Sequence, residues 1–317
     1  MTTEPESAPE ANEGGEADDA GQAAPTRAGI VTVVGKPNAG KSTLLNRLIG
    51  QKLSITSVKP QSTRDRIVGI YTRSGIQMVI FDTPGLLTPK YRLQESMRGA
   101  ALQALEDADV IVYLADGTEG PPVSLEEAAG LEGPPRAPVI LAINKSDSLK
   151  RPERRDLAST FRDAHLISSR TGDGLPVLLA AIAERLPVSP FLYPEEDVST
   201  QTTRFFVTEL IRETALEQLE EEVPYSIACE IEEFREERAP LYIRAVVFVE
   251  RESQKRILIG EGGSRIRDIG RAARLKIEKL VDTAVYLDLW VKVLPNWRRN
   301  ARDLRRFGYQ LPGSTDK

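Results

Sequence analysis

The sequence predicts an α/β domain built on a mostly parallel sheet with helices on both faces, followed by a smaller α+β domain. Three observations carry this. Apolar runs of five or six residues alternate with amphipathic helical stretches from Ile30 to Leu186, the pattern of strands covered on both faces. Residues 29–49, GIVTVVGKPNAGKSTLLNRLI, join one such run to a helix through a glycine-rich turn. Beyond a proline-containing stretch, 187–203, the order changes to helix, strand, strand, helix, helix, strand.

Composition bounds the rest. A chain of 317 residues with 40% hydrophobic content suits about two domains with sizeable cores. The one cysteine, Cys229, excludes an internal disulfide and a cysteine zinc cluster, which points to a reducing compartment. No run of 18 apolar residues occurs and the N-terminus lacks signal-peptide character, so a cytoplasmic location is expected. The net charge of −5 hides an asymmetry: residues 251–308 hold 15 Lys and Arg against 7 Asp and Glu, leaving −13 on residues 1–250. A basic C-terminal portion on an acidic body suits a polyanionic partner, and also weak contact with anionic lipid at the inner face of the cell membrane. No oligomerisation signal stands out, and a monomer is expected.

Taken in order, residues 1–27 are acidic and poor in apolar side chains, an extension expected to be disordered. Ile30–Val34 is the first strand. In the turn that follows, Gly35, Lys36, Pro37, Asn38, Ala39, Gly40, Lys41, Ser42 and Thr43 contain the pattern G-x-x-x-x-G-K-[ST] in its required setting, between strand and helix. Glycines let several backbone N–H groups face one anion at a helix start, Lys41 adds a full charge, and the Ser42 hydroxyl can ligate magnesium. The helix ends near Gly50. Residues 51–66, polar and without sustained period, read as a mobile loop in which Thr63 can reach the metal and terminal phosphate; a plain turn threonine is the alternative.

Two strands, Ile67–Thr72 and Gln77–Phe81, flank the turn Arg73-Ser74-Gly75 and lead to Asp82-Thr83-Pro84-Gly85. A carboxylate at a strand end suits magnesium, and the Gly85 N–H can meet a terminal phosphate. A helix from about Gln94 to Glu106, a strand Val110–Leu114 and a short helix within 117–138 precede the strand Val139–Ile143. That strand delivers Asn144-Lys145-Ser146-Asp147. Asp147 can accept from the ring N–H and exocyclic amine of guanine, a pair adenine lacks; Asn144 would brace the loop and the Lys145 stem would lie over the base. After His165, read as structural, Ser168 and Ser169 are placed to offer backbone N–H groups to the guanine oxygen, with Arg170 beside them. A helix from Leu175 to Leu186 closes the domain.

In the second domain, helices at 204–220, 252–258 and 264–280 accompany strands Tyr225–Phe234, Leu241–Glu250 and Val285–Val293. Ile259-Gly260-Glu261-Gly262-Gly263 lies between the last two helices and precedes Ser264. Gly260 and Gly263 allow close approach of a nucleic-acid backbone, and Lys255, Arg256, Arg265 and Arg267 supply charge; a glycine-stiffened helix corner is the alternative, and Glu261 is awkward beside phosphate. The stretch Trp297, Arg298, Arg299, Arg302, Arg305 and Arg306 reads equally as an RNA-stacking tail and as a helical face packed on its domain.

The ordered set GKPNAGKS, Thr63, DTPG and NKSD, together with KPQSTRDRIVGI, PVILAINKSD, VPYS at 223–226 and LWVKV at 289–293, resembles the Era family of GTPases over residues 28–310. The resemblance implies an α/β P-loop GTPase domain at 28–187, a linker at 188–203, an α+β type II KH RNA-binding domain at 204–295 and a basic tail at 296–317. It implies GTP hydrolysis to GDP and phosphate with magnesium, catalytic roles for Lys41, Thr63, Gly85 and Asn38, metal ligation by Ser42, Thr63 and Asp82, and RNA contact along residues 255–267. The implied partner is small-subunit rRNA near its 3′ end, with a role in small ribosomal subunit assembly; the alternative is a membrane-associated GTPase of the same class with a regulatory role. In potassium-stimulated relatives the residue matching Asn38 ligates a monovalent cation. Ser62 and Ser169 depart from the family's usual threonine and alanine, and Leu86 stands where signalling GTPases carry a water-positioning glutamine.

Overall fold

The computed structural model describes residues 25–57, 59–237 and 239–311. The acidic stretch before residue 25 lies outside them, but Arg27, assigned above to that extension, already begins the first strand. The first domain holds a six-stranded sheet of β1 (Arg27–Val34), β2 (Ile67–Arg73), β3 (Ile76–Asp82), β4 (Val110–Asp116), β5 (Val139–Asn144) and β6 (His165–Leu166), in the order β2-β3-β1-β4-β5-β6. All neighbours are parallel except β2 and β3, which form a hairpin across a two-residue turn with Ser74 and Gly75 at positive φ.

Helices cover both faces, as crossovers between parallel strands require. One core cluster joins Val31, Val33, Val112 and Ile140 of the sheet to Leu44 and Leu45 of α1 (Lys41–Ile49) and Leu178 and Ile182 of α5 (Leu175–Arg185). On the other face, Val34, Ile111 and Tyr113 pack against Ala101 and Leu105 of α2 (Arg92–Glu106) and Leu125 and Ala129 of α3 (Leu125–Ala129). Leu86 is buried in this second cluster, so its side chain belongs to the core. A further helix, α4 (Arg151–Thr160), connects β5 to β6. His165 is half-buried, and burial, then the neighbouring Arg185, holds its imidazole below the usual pKa.

The second domain carries a three-stranded sheet, β7 (Ala228–Arg235), β8 (Leu241–Val249) and β9 (Val285–Val293), with β7 antiparallel and β9 parallel to β8. Its core brings Val207, Ile211 and Ala215 of α6 (Thr203–Gln218), Leu258 of α7 (Glu252–Ile259) and Ile269, Ala273 and Ile277 of α8 (Ser264–Val281) against Ile243, Ala245 and Val247. The element order matches the sequence expectation throughout.

Two segments are more firmly packed than the sequence suggests. The proline-containing connection is strapped to the first domain: Gln77 accepts from the N–H groups of Leu192 and Tyr193 at 2.7 and 3.0 Å, and Ile70 N–H donates to Val198 at 2.9 Å. The basic segment after residue 295 packs rather than projecting. Trp297 is fully buried and donates to the Ser226 carbonyl at 2.8 Å, and Leu304 of the short helix α9 (Ala301–Arg306) joins it in a cluster with Phe248, Leu93 and Met97. Trp297 is therefore unavailable for base stacking. Arg298 and Arg306 are paired with Glu250 and Glu230. An indole costs too much apolar surface to leave in water when a sheet face and helix α2 can cover it.

Candidate functional site

The four motif segments meet because each follows the carboxyl end of a parallel strand. The glycine-rich turn follows β1, Asp82 ends β3, Asn144 ends β5, and Ser168 lies just past β6. Crevices at that edge are where open α/β sheets bind ligands. Here they enclose a cavity of about 560 Å³ whose lining includes Lys41, Ser42, Thr63, Gly85, Asn144 and Asp147. Pro37, Asn38, Gly40, Thr43, Lys145, Ser169 and Arg170 also line it.

The phosphate end is built by close backbone approach. A Cβ on Gly40, at φ 101°, would lie 2.2 Å from Asn144 Nδ2, and one on Gly85 would lie 2.6 Å from Pro37 N, so each must be glycine. Asn144 donates from Nδ2 to the Ala39 carbonyl at 2.8 Å, bracing the turn as the sequence predicts. Leu86 N–H donates to Gly35 at 2.9 Å, fastening the DTPG loop to the same turn. Lys41 is buried, and its ammonium donates to the carbonyls of Gly35 and Lys36 at 3.1 and 3.0 Å. Burial lowers its pKa to about 8, with Asp82 acting in the opposite direction.

Three hard oxygen donors converge beside it. Ser42 Oγ lies 2.7 Å from Asp82 Oδ2 and 2.9 Å from Thr63 Oγ1, while Asp82 Oδ1 is buried without a partner. Burial pushes the Asp82 carboxyl up, against Lys41 and the bonds from Ser42 and Ser54. An orphaned carboxylate oxygen amid hydroxyls fits magnesium, which takes few protein ligands and completes its shell with water and phosphate. Among the described residues no group of three His, Cys, Asp or Glu side chains forms a self-sufficient metal cage. Thr83 is fully buried and donates to the Val33 carbonyl at 2.8 Å, so it serves the fold.

At the base end, Asp147 accepts from Ser168 Oγ at 2.6 Å and pairs with Arg170 through its other oxygen. The Ser168 bond first, then Arg170, outweighs the effect of burial and holds this carboxyl below the usual range. Lys145 sits at φ 62° and pairs at 2.5 Å with Asp116 at the end of β4. One expectation changes. The backbone N–H of Ser168 donates to Asp173 and that of Ser169 to Asn144 Oδ1, at 2.9 and 2.8 Å, so both are engaged within the loop. Ser168 instead reaches the site through Asp147.

Sequence reasoning missed three supporting residues. Ser54 is buried and donates to Asp82 Oδ2 at 2.8 Å; Asn46 fixes it by accepting from the N–H groups of Leu53 and Ser54 at 2.8 and 2.9 Å. Asp116 is the third. Each acts across a gap in sequence, which no local pattern marks.

In the second domain, the turn between α7 and α8 keeps Gly260, Gly262 and Gly263 at φ 74°, 56° and 76°. Arg267 caps it, donating from Nε and Nη2 to Gly263 and Gly262 at 3.1 Å each. Arg256, Glu261, Ser264 and Arg265 are exposed, while Lys255 and Ile259 are half-buried.

Residues 30–145 match a family model described as 50S ribosome-binding GTPase, and residues 222–298 match one described as KH domain. GTPase Era of Pseudomonas aeruginosa is 42% identical over 295 residues, covering 90% of this chain and 95% of its own. The chain belongs to the Era family of GTPases. GTPase Era of Halothermothrix orenii is likewise 42% identical, over 90% of this chain and 99% of its own. A crystal structure of an Aquifex aeolicus Era variant bound to GDP.AlF4- superposes with a TM-score of 0.84 at 39% identity, covering 90% of this chain and all of the other. An Era structure in complex with MgGDPNP and nucleotides 1506–1542 of 16S ribosomal RNA matches with the same score, identity and coverage. As an Era-family member the chain is a P-loop GTPase with a KH domain.

Proposed function

We propose that the chain is a GTP-hydrolysing switch that binds small-subunit rRNA near its 3′ end through the KH domain and acts in small ribosomal subunit assembly. The single observation that carries this is the joint match, over 90% of the chain, to an Era structure holding both MgGDPNP and the end of 16S rRNA. Asp147, with Asn144 and Lys145 positioning its loop, selects guanine. Lys41 turns from the carbonyls of its own loop to the outer phosphates. Ser42, Thr63 and Asp82 hold magnesium, which when bound offsets phosphate charge. Gly85 meets the terminal phosphate through its N–H. With Leu86 in the core, no glutamine stands at that position, and Asn38 would hold a monovalent cation whose charge would offset the negative charge that develops. The KH turn at 260–263, flanked by Lys255, Arg256, Arg265 and Arg267, receives single-stranded RNA.

The proposed units are residues 28–187 for the GTPase domain, 188–203 for the connection, 204–295 for the KH domain and 296–317 for the basic C-terminal tail. Cytoplasmic residence belongs to the same reading. Among the described residues no helix is long and apolar enough to cross a membrane. The test is GTP turnover in potassium and in sodium buffer, with and without a short RNA copying the 3′ end of small-subunit rRNA. Acceleration by RNA supports a coupled device and acceleration by potassium supports the Asn38 cation. Turnover indifferent to RNA, with RNA bound equally in GTP and GDP states, removes the switch.

A further inference from the structure

Among the described residues between 51 and 66 none lies in a helix or strand, yet Thr63 and Arg64 are only 6% and 4% exposed. The residues on either side of Thr63 are held from the KH domain. Arg212 of α6, itself 3% exposed, donates from Nη2 to the Ser62 carbonyl at 2.6 Å. Glu209, one turn earlier, orients that guanidinium, accepting from Nε at 2.8 Å and from Nη2. On the other flank, Arg64 donates to the carbonyls of Ile227 and Tyr225 at 2.5 and 3.2 Å, with its guanidinium 5.8 Å from the Trp297 ring. Lys59 donates to the carbonyls of Leu216 and Leu219 where α6 ends. Residues 62 and 64 are thus both fastened to the second domain, while the hydroxyl between them faces Ser42 at 2.9 Å.

Ordering an irregular loop costs conformational entropy at every residue, and a ligating hydroxyl must sit within about half an ångström of its place. The Thr63 hydroxyl meets Ser42, while the bonds that anchor residues 62 and 64 on either side of it come from the second domain. We propose that Arg212 is a positioning residue for GTP hydrolysis: by holding the Ser62 carbonyl, opposite Arg64, it fixes Thr63 where its hydroxyl completes the metal shell beside the terminal phosphate. This rests on the reading of Thr63 given under Proposed function. GDP lacks the terminal phosphate, so its binding through the glycine-rich turn and Asp147 does not depend on Arg212. A displacement of α6 is felt at Thr63 while those elements stay intact.

The test uses the full chain with Arg212→Gln, Thr63→Ala and the double variant. It reads kcat and KM for GTP, and the magnesium concentration giving half-maximal binding of GDPNP and of GDP. Arg212→Gln is expected to lower kcat about tenfold or more and to raise the magnesium requirement for GDPNP, with GDP binding changed less than about twofold. The double variant should lose no more than Thr63→Ala alone, because both changes remove one placement. Equal weakening of GDP and GDPNP binding, or multiplicative losses in the double variant, would overturn the proposal. Glu209→Gln keeps Arg212 but frees its fork. If Arg212→Gln does not fold, unchanged kcat and magnesium dependence in Glu209→Gln overturns the proposal as well. A silent Thr63→Ala would instead sink the reading of Thr63 itself, whereas an effective Thr63→Ala beside a silent Arg212→Gln refutes only the positioning role.

Discussion

Replacing Asp147 by asparagine is the sharpest test of base selection. The carboxylate is held in place by Ser168 Oγ at 2.6 Å and by Arg170, and it lines the cavity at the end opposite the phosphate turn. Against guanine it accepts from two N–H groups, each a charge-assisted hydrogen bond worth about 1.5–3 kcal/mol. An amide of the same shape keeps one acceptor and turns a donor toward a donor. One such bond is lost and the guanine donor left facing a donor costs about 1–3 kcal/mol more, so the expected loss is about 2.5–6 kcal/mol, or roughly two to four powers of ten in GTP affinity. Xanthine presents an oxygen where guanine carries its amine, so affinity for XTP should rise as that for GTP falls. Competition of unlabelled GTP, XTP and ATP against a fluorescent guanine nucleotide measures all three. A loss of GTP affinity under about tenfold, with XTP still excluded, would refute guanine reading by Asp147.

Further outcomes follow from the same geometry. Lys41, lowered to about 8 in the free protein, should be raised by bound phosphates; nucleotide affinity is then highest below pH 8 and falls by up to about tenfold over the next unit as the free protein loses that proton, and a flat titration would show that Lys41 does not contact phosphate. Trp297→Ala removes a fully buried indole bonded to Ser226 and should destabilise the chain by about 3–5 kcal/mol in denaturant unfolding; a loss under about 1 kcal/mol would mean that this segment is not part of the core. Arg265→Ala should weaken binding of a short single-stranded RNA uniformly across sequences and reduce the slope of log affinity against log salt by about 0.7, leaving RNA-free GTP turnover unchanged; an unaltered slope would remove Arg265 from the RNA surface.

Much of this was legible because its signals are local. Alternating apolar runs and helical patterns placed strands β1 to β5 and helices α1, α2 and α5 of the sheet domain to within a few residues, though they gave no sign of α4, and the glycine-rich turn, DTPG and NKSD each occupied a strand end. The structure departs where a contact crosses the chain. The Ser169 N–H, expected to face the base, donates to Asn144 across 25 residues, and that of Ser168 closes its own loop on Asp173. Ser54 and Asp116 gave no local sign, because their partners, Asp82 and Lys145, lie some 28 and 29 residues away.

The sequence by itself determined the parallel sheet, the chemistry of the phosphate and base motifs, and the order of the second domain's elements. Backbone geometry and hydrophobic period act over a few residues, and so leave their trace in short windows. Only the tertiary structure decided the fate of the basic C-terminal segment and of the loop carrying Thr63. Trp297 and its arginines suited either water or a neighbour, and the apolar face formed by Phe248, Leu93 and Met97 settled it by burying the indole. Residues 51–66 lack any period in sequence, so contacts decide: Asn46 and Asp82 fix Leu53 and Ser54, while residues 59, 62 and 64 meet the carbonyls of residues 216, 219, 225 and 227 and the Arg212 guanidinium, all more than 140 residues further along the chain.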